Sequence, residues 1–258
     1  MKSLAFFALS AIATAAMATG PAPAAKLTIS GISTQLATVN GGSNVTNTAN
    51  SYTYANQNIA SNKGSVDIKG KSEQSAVITD SQVTNTAVNK GDVAVQNVAS
   101  NAGEVSVEKP SGFFAIGGKS EQEATIKGSS LINEADGSSA CGGWNCDDAA
   151  LAYQNAASNF GNVTIAGTSK QSFTMNGNSV AENKALGAKT VAVQNMSSNY
   201  GDVAIAGYSS QATVIAGNSR VGNYAFGEAA HAYQNLASND SCDPPPPVCV
   251  GPACGPYQ

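Results

Sequence analysis

One seven-residue phrase returns five times along this chain and limits its possible folds more than any other feature. It reads Asn56-Gln57-Asn58-Ile59-Ala60-Ser61-Asn62, then Val95-Gln96-Asn97-Val98-Ala99-Ser100-Asn101, then Tyr153-Gln154-Asn155-Ala156-Ala157-Ser158-Asn159. It returns as Val193-Gln194-Asn195-Met196-Ser197-Ser198-Asn199 and as Tyr233-Gln234-Asn235-Leu236-Ala237-Ser238-Asn239. Successive glutamines lie 39, 58, 40 and 40 residues apart. The long interval is one normal period carrying two insertions, near 108–117 and 136–148. A fixed period of this length marks a stacked repeat architecture, because one unit cannot bury its own apolar face.

The rest of the unit is equally regular. After each phrase but the last comes a glycine, a short alternating run and a second glutamine. Gly64-Ser65-Val66-Asp67-Ile68-Lys69-Gly70 leads to Gln74, and Gly201-Asp202-Val203-Ala204-Ile205-Ala206-Gly207 leads to Gln211. Gln122 and Gln171 hold this place in the units between, and Leu27-Thr28-Ile29-Ser30-Gly31 leading to Gln35 opens the array. A third landmark follows in every unit at Asn47, Asn85, Asn133, Asn183 and Asn223. Five units of about 40 residues thus cover 26–240.

Val66 and Ile68, Val163 and Ile165, and Val203 and Ile205 alternate with small or polar residues, the period of a strand. The glutamine phrase alternates too, with Ala192, Gln194, Met196 and Ser198 on one side and Val193, Asn195 and Ser197 on the other. Ser-Asn-x-Gly is turn chemistry, and no run after the first 25 residues shows a capped helical stripe. The expectation is an all-β, repetitive β-solenoid with cross-β-like packing and three or four short strands per unit. The unit is either one coil of about 40 residues or two of about 20. Equivalent residues would then stack about 4.8 Å apart, and repeated amides would form ladders that satisfy one another. The rows expected to do so are Gln57, Gln96, Gln154, Gln194 and Gln234; Asn58, Asn97, Asn155, Asn195 and Asn235; and Gln74, Gln122, Gln171 and Gln211.

Composition narrows the function classes. Only 6% of residues are aromatic and 12% charged, while Gly numbers 26 and Asn 25, too few large apolar side chains for a thick globular core. A net charge of −4 offers no basic surface for nucleic acid. The lone His231 argues against a catalytic triad, a Cys-His dyad or a His-ligated metal. Carboxylates such as Asp67, Glu104 and Asp202 stand singly, without the clustering that glycoside hydrolysis or calcium binding needs. The sequence therefore reads as a non-enzyme with no cofactor and no metal site.

The ends carry separate signals. Residues 1–25 read as a secretion signal: Lys2, an apolar run, and the small-x-small sites Ala16-Met17-Ala18 and Ala22-Pro23-Ala24. The apolar run is shorter than the roughly 20 residues a membrane span requires, so membrane insertion is not expected. Residues 241–258 form a tail with four consecutive prolines, Pro244 to Pro247, which cannot extend a ladder. All five cysteines lie outside the repeat positions: Cys141 and Cys146 in the second insertion, and Cys242, Cys249 and Cys254 in the tail. For an exported chain they are disulfide candidates, with one left over to link subunits or attach to a partner. Phe113, Phe114 and Trp144 in the insertions are either aromatics tucked onto the coil or a binding surface.

Asn/Gln-marked, Ala/Gly/Ser-rich repeats behind a secretion signal resemble the bacterial functional amyloids of the curli and Fap types. The phrase Asn195-Met196-Ser197-Ser198-Asn199-Tyr200-Gly201-Asp202-Val203-Ala204-Ile205-Ala206-Gly207 is similar in cadence to Fap-type fibre repeats. The resemblance implies an extracellular or cell-surface bacterial protein. Such a protein self-associates into fibres for biofilm matrix or adhesion, with a minor subunit or a cell-surface anchor as partner. The competing expectation is a non-polymerising solenoid adhesin that binds carbohydrate or another surface through its insertion loops.

Overall fold

The computed structural model describes residues 26–50, 53–88, 91–109, 117–137 and 149–240. Residues 1–25, expected to be a secretion signal, all five cysteines, Phe113, Phe114, Trp144 and residues 241–258 lie outside the described residues.

The chain winds through five stacked coils, one per repeat unit, so the choice between one coil and two falls to one. Each coil contributes a strand to each of five parallel five-stranded sheets. In the fourth coil the strands are Val163–Ile165, Thr168–Asn176, Val180–Leu186, Ala192–Met196 and Asn199–Tyr200. Five strands per coil exceed the three or four expected. The difference lies at the end of the glutamine phrase. Ser197 takes a positive φ of 52°, and Ala60, Ala99, Ala157 and Ala237 do the same at 49–52°. This left-handed corner ends one strand and starts a two-residue strand within what reads as a single alternating run.

Every landmark is in register. Gln154 pairs with Gln96 and Gln194, Asn133 with Asn85 and Asn183, and Gln122 with Gln74 and Gln171. The 58-residue interval still advances the chain by a single layer. The first insertion is closed at its base, where Gly118 N donates to Glu108 O at 2.9 Å. At the second, a Cβ on Gly137 would lie 3.2 Å from Ala149 O, so the chain leaves and rejoins the wall at one point.

The described residues hold four thin apolar seams, one of them formed by Val95, Ala102, Tyr153, Phe160, Val193 and Tyr200. The largest sets Ile78, Ile126 and Met175 of the second sheet against Leu131 of the third and Met196 of the fourth. Volumes compensate within it: Ala124 accompanies Leu131 in the third coil, whereas Phe173 accompanies Ala181 in the fourth. Where the third and fourth sheets meet, the seam is entirely alanine, including Ala87, Ala94, Ala135, Ala152, Ala185 and Ala192. Val66, Ile68, Val105, Val107, Val163 and Ile165 form the third seam. A core one or two side chains deep explains how so few large residues suffice. A fully buried Ile or Met contributes about 1.5–3 kcal/mol, and each layer repeats the same burial.

Glycine fixes the corner that follows the two-residue strand. Gly103, Gly161 and Gly201 have φ of 118°, 115° and 119°, and a Cβ on each would lie 2.2–2.4 Å from the carbonyl oxygen of the glycine one coil earlier. Both backbone conformation and spacing demand glycine here.

Candidate functional site

The chemistry that this chain repeats is the amide, and the candidate site is the set of amide rows with the two faces where they stop. In the main glutamine row, Nε2 donates to Oε1 one coil nearer the N-terminus: Gln96 to Gln57 at 2.8 Å, Gln154 to Gln96 at 2.9 Å, Gln194 to Gln154 at 2.7 Å and Gln234 to Gln194 at 2.6 Å. The neighbouring asparagine row runs the same way, from Asn97, Asn155, Asn195 and Asn235 to the copies before them at 2.8–3.0 Å. Gln96, Gln154, Gln194, Asn97, Asn155 and Asn195 are fully buried. An amide that both donates to and accepts from its copies avoids the penalty of about 1–3 kcal/mol for an unpaired buried polar group.

Two further rows point the other way. Asn47, Asn85, Asn133 and Asn183 donate to the copy one coil nearer the C-terminus at 2.7–2.8 Å. Asn62, Asn101, Asn159 and Asn199 do likewise at 2.6–2.9 Å. The last row closes the repeated phrase, and its identical residue at every turn was the available signal that it too is a ladder. Beside it runs a serine row. Ser100 Oγ donates to Val98 O at 2.9 Å and accepts Ser158 N at 3.2 Å, and Ser158 and Ser198 continue the pattern. Each serine thereby satisfies backbone groups at the left-handed corner.

The second glutamine of each unit behaves differently from expectation. Gln74, Gln122, Gln171 and Gln211 stack in register but do not bond one another. Their Nε2 atoms cross the interior of their own coil to Asn101, Asn159, Asn199 and Asn239 Oδ1 at 2.6–3.0 Å. Oε1 of Gln74, Gln122 and Gln171 is buried without a hydrogen-bond partner. The side chain is drawn across the coil because the asparagine oxygen keeps a lone pair free after accepting within its own row.

The outer wall carries ion pairs in the middle coils: Lys71 with Glu73, Lys119 with Glu121 at 2.9 Å, and Glu182 with Lys184 at 2.8 Å. The Lys71 ammonium holds the Glu73 carboxyl below its ordinary value, chiefly through their hydrogen bond. These columns lose their charge at the ends, where Ile32 and Thr34 take the places of Lys71 and Glu73, and Tyr208 and Ser210 those of Thr168 and Lys170. His231 is exposed, its ring 6.2 Å from that of Tyr233. Among the described residues no group of three or more His, Cys, Asp or Glu side chains is placed to hold a metal ion.

Among the described residues nothing covers the first and last coils. On the outer wall of these coils Ile32 and Leu36 are 79% and 70% exposed and Tyr208, Val214 and Phe226 56%, 52% and 58%, while the inward Val39, Val45 and Val221 are only partly buried. Compared with known proteins, the chain matches no protein-family model, no curated protein and no solved structure.

Proposed function

We propose that this chain is an exported structural subunit that assembles into extracellular fibres of the functional-amyloid kind, serving biofilm matrix or surface attachment. The observation that carries the reading is the state of the two ends. Soluble sheet proteins blunt their edges with charge, proline or a covering element. Here nothing among the described residues covers the end coils, whose amide rows are unfinished and whose Ile32, Leu36, Tyr208 and Phe226 stand exposed. Export is supported by the character of residues 1–25.

The mature chain, purified in denaturant and diluted, is expected to form filaments with a 4.7–4.8 Å reflection along the fibre axis. Persistence as a soluble monomer at high concentration would overturn the reading and favour a solenoid adhesin.

A further inference from the structure

We infer that the partner of each end coil is the opposite end of a second copy of this chain, added with no sideways offset, so that Lys26 of one copy meets Asp202 of the next and Lys63 meets Asp240. This inference rests on the fibre reading and gives it a polarity and a register.

The amide rows set the polarity. At the first coil, Gln57 and Asn58 have accepted from the second coil and donate to no copy of their own row, their amides making long contacts, to Thr84 O at 3.3 Å and Asn56 Oδ1 at 3.2 Å. Asn47 and Asn62 have donated and have accepted from no copy of their row, Asn62 Oδ1 keeping one lone pair beside its 2.8 Å bond from Gln35. The fifth coil is the mirror of this. Gln234 and Asn235 have donated and keep their oxygens, while Asn223 and Asn239 have accepted on Oδ1. All four rows therefore continue when a first coil is laid on a fifth. Two first coils face to face would reverse the chain direction across the joint, so neither the parallel strand pairing nor the amide rows would continue.

Charge agrees with the amides. Leu27, Val66, Val105, Val163 and Val203 share one row, so Lys26 and Asp202, the residues before the first and last of these, hold equivalent places. Lys63, Ala102, Phe160, Tyr200 and Asp240 form another row, again with lysine at one end and aspartate at the other. Apolar places match as well: Ile32 is equivalent to Tyr208, Val39 to Ile215 and Ile59 to Leu236. An offset by one residue would turn every interior side chain of the added coil outward.

Zero-length carbodiimide cross-linking of filaments of the unmodified mature chain, followed by peptide mass mapping, tests the joint. The expected products are Lys26–Asp202 and Lys63–Asp240 isopeptides. Four layers of about 4.8 Å separate each pair within one chain, so such a link must cross between copies. The 3.4 Å intrachain pair Lys26–Asp67 reports that the reagent has worked. Filaments that yield the Lys26–Asp67 link and neither joint link overturn the polarity and leave the fibre reading standing. Absence of filaments overturns both.

Charge exchange gives a second readout. A Lys26→Glu/Lys63→Glu chain and an Asp202→Lys/Asp240→Lys chain should each elongate seeds at least about five-fold more slowly at low salt. Their equimolar mixture should recover the native rate, because every joint in an alternating filament then pairs opposite charges. A mixture no faster than its components, with native-like circular dichroism in both, overturns the proposal.

Discussion

Gln122 Nε2 donates to Asn159 Oδ1 at 2.6 Å across the third coil, and this contact ties the second sheet to the amide row beside the corner glycines. Asn159 also accepts from Asn101 Nδ2 at 2.8 Å and donates to Ser169 Oγ at 3.2 Å and Asn199 Oδ1 at 2.8 Å. Asn159→Ala removes one hydrogen bond from each of four partners in a dry interior and should cost about 3 kcal/mol or more. Gln122→Leu removes one donor together with an oxygen that has no partner, and should cost no more than about 1 kcal/mol. Urea midpoints of the two variants give the comparison, and equal losses would contradict the hub role of Asn159.

The corner glycines should divide sharply from the loop glycines. At Gly161 the backbone φ is 115° and a Cβ would lie 2.2 Å from Gly103 O, so Gly161→Ala should cost at least about 3 kcal/mol or prevent accumulation of the folded chain. Gly41 has a φ of 66° with nothing within 4 Å of a Cβ, so Gly41→Ala should cost only about 1 kcal/mol. Thermal melting of both variants tests the difference.

Position along the glutamine row should decide whether folding or assembly suffers. Gln154→Leu leaves Gln96 Oε1 and Gln194 Nε2 without their ladder partners and should destabilise the monomer by about 2–4 kcal/mol. Gln234→Leu removes one ladder bond at the exposed end and should cost the monomer about 1 kcal/mol. Seeded growth should nonetheless fall, because the row no longer offers an acceptor to the next copy. Combining Gln154→Leu, Gln194→Leu and Gln234→Leu should slow assembly and scramble register. Unchanged kinetics in that variant would remove the row from the assembly mechanism.

Lys63 gives the fold an alkaline signature. Burial pulls its ammonium down from the ordinary 10.5 to about 8, with Nζ donating to Tyr54 OH at 2.9 Å and lying 5.2 Å from the centre of that ring. Below pH 8 folded and unfolded chains both carry the proton, and the cost of burying the charge is felt in full. Between about 8 and 10 the unfolded chain binds more protons than the folded one, so this group makes stability rise with pH. Burial raises the Tyr54 hydroxyl, so the unfolded chain loses that proton first and the gain ends as pH passes about 10. The melting temperature should climb between pH 8 and 10, and Lys63→Met should remove most of that climb while raising stability at pH 7.

The stacking order was legible because each layer is signed by the same residues at the same places. Gln57, Gln96, Gln154, Gln194 and Gln234 fall in register across a 58-residue interval as readily as across 40. The path within one layer was less legible. A left-handed alanine such as Ala157 has no compositional mark, so the break that splits the phrase into two strands and turns Asn159 inward cannot be read from alternation. Nor does a residue's type name its partner. Gln122 and Gln154 are both buried glutamines in register with their copies, yet one bonds across the coil and the other along the stack.

The pinched bases of the insertions mean that chain length there is uncoupled from the scaffold. Glu108 and Gly118 are held together across residues 109–117 by a backbone hydrogen bond, and the layer beyond sits where it would if the chain had turned directly. Lengthening such an excursion adds only the slow, logarithmic cost of closing a larger ring. Foreign peptides or small domains grafted at that point would leave the register of the five coils unchanged.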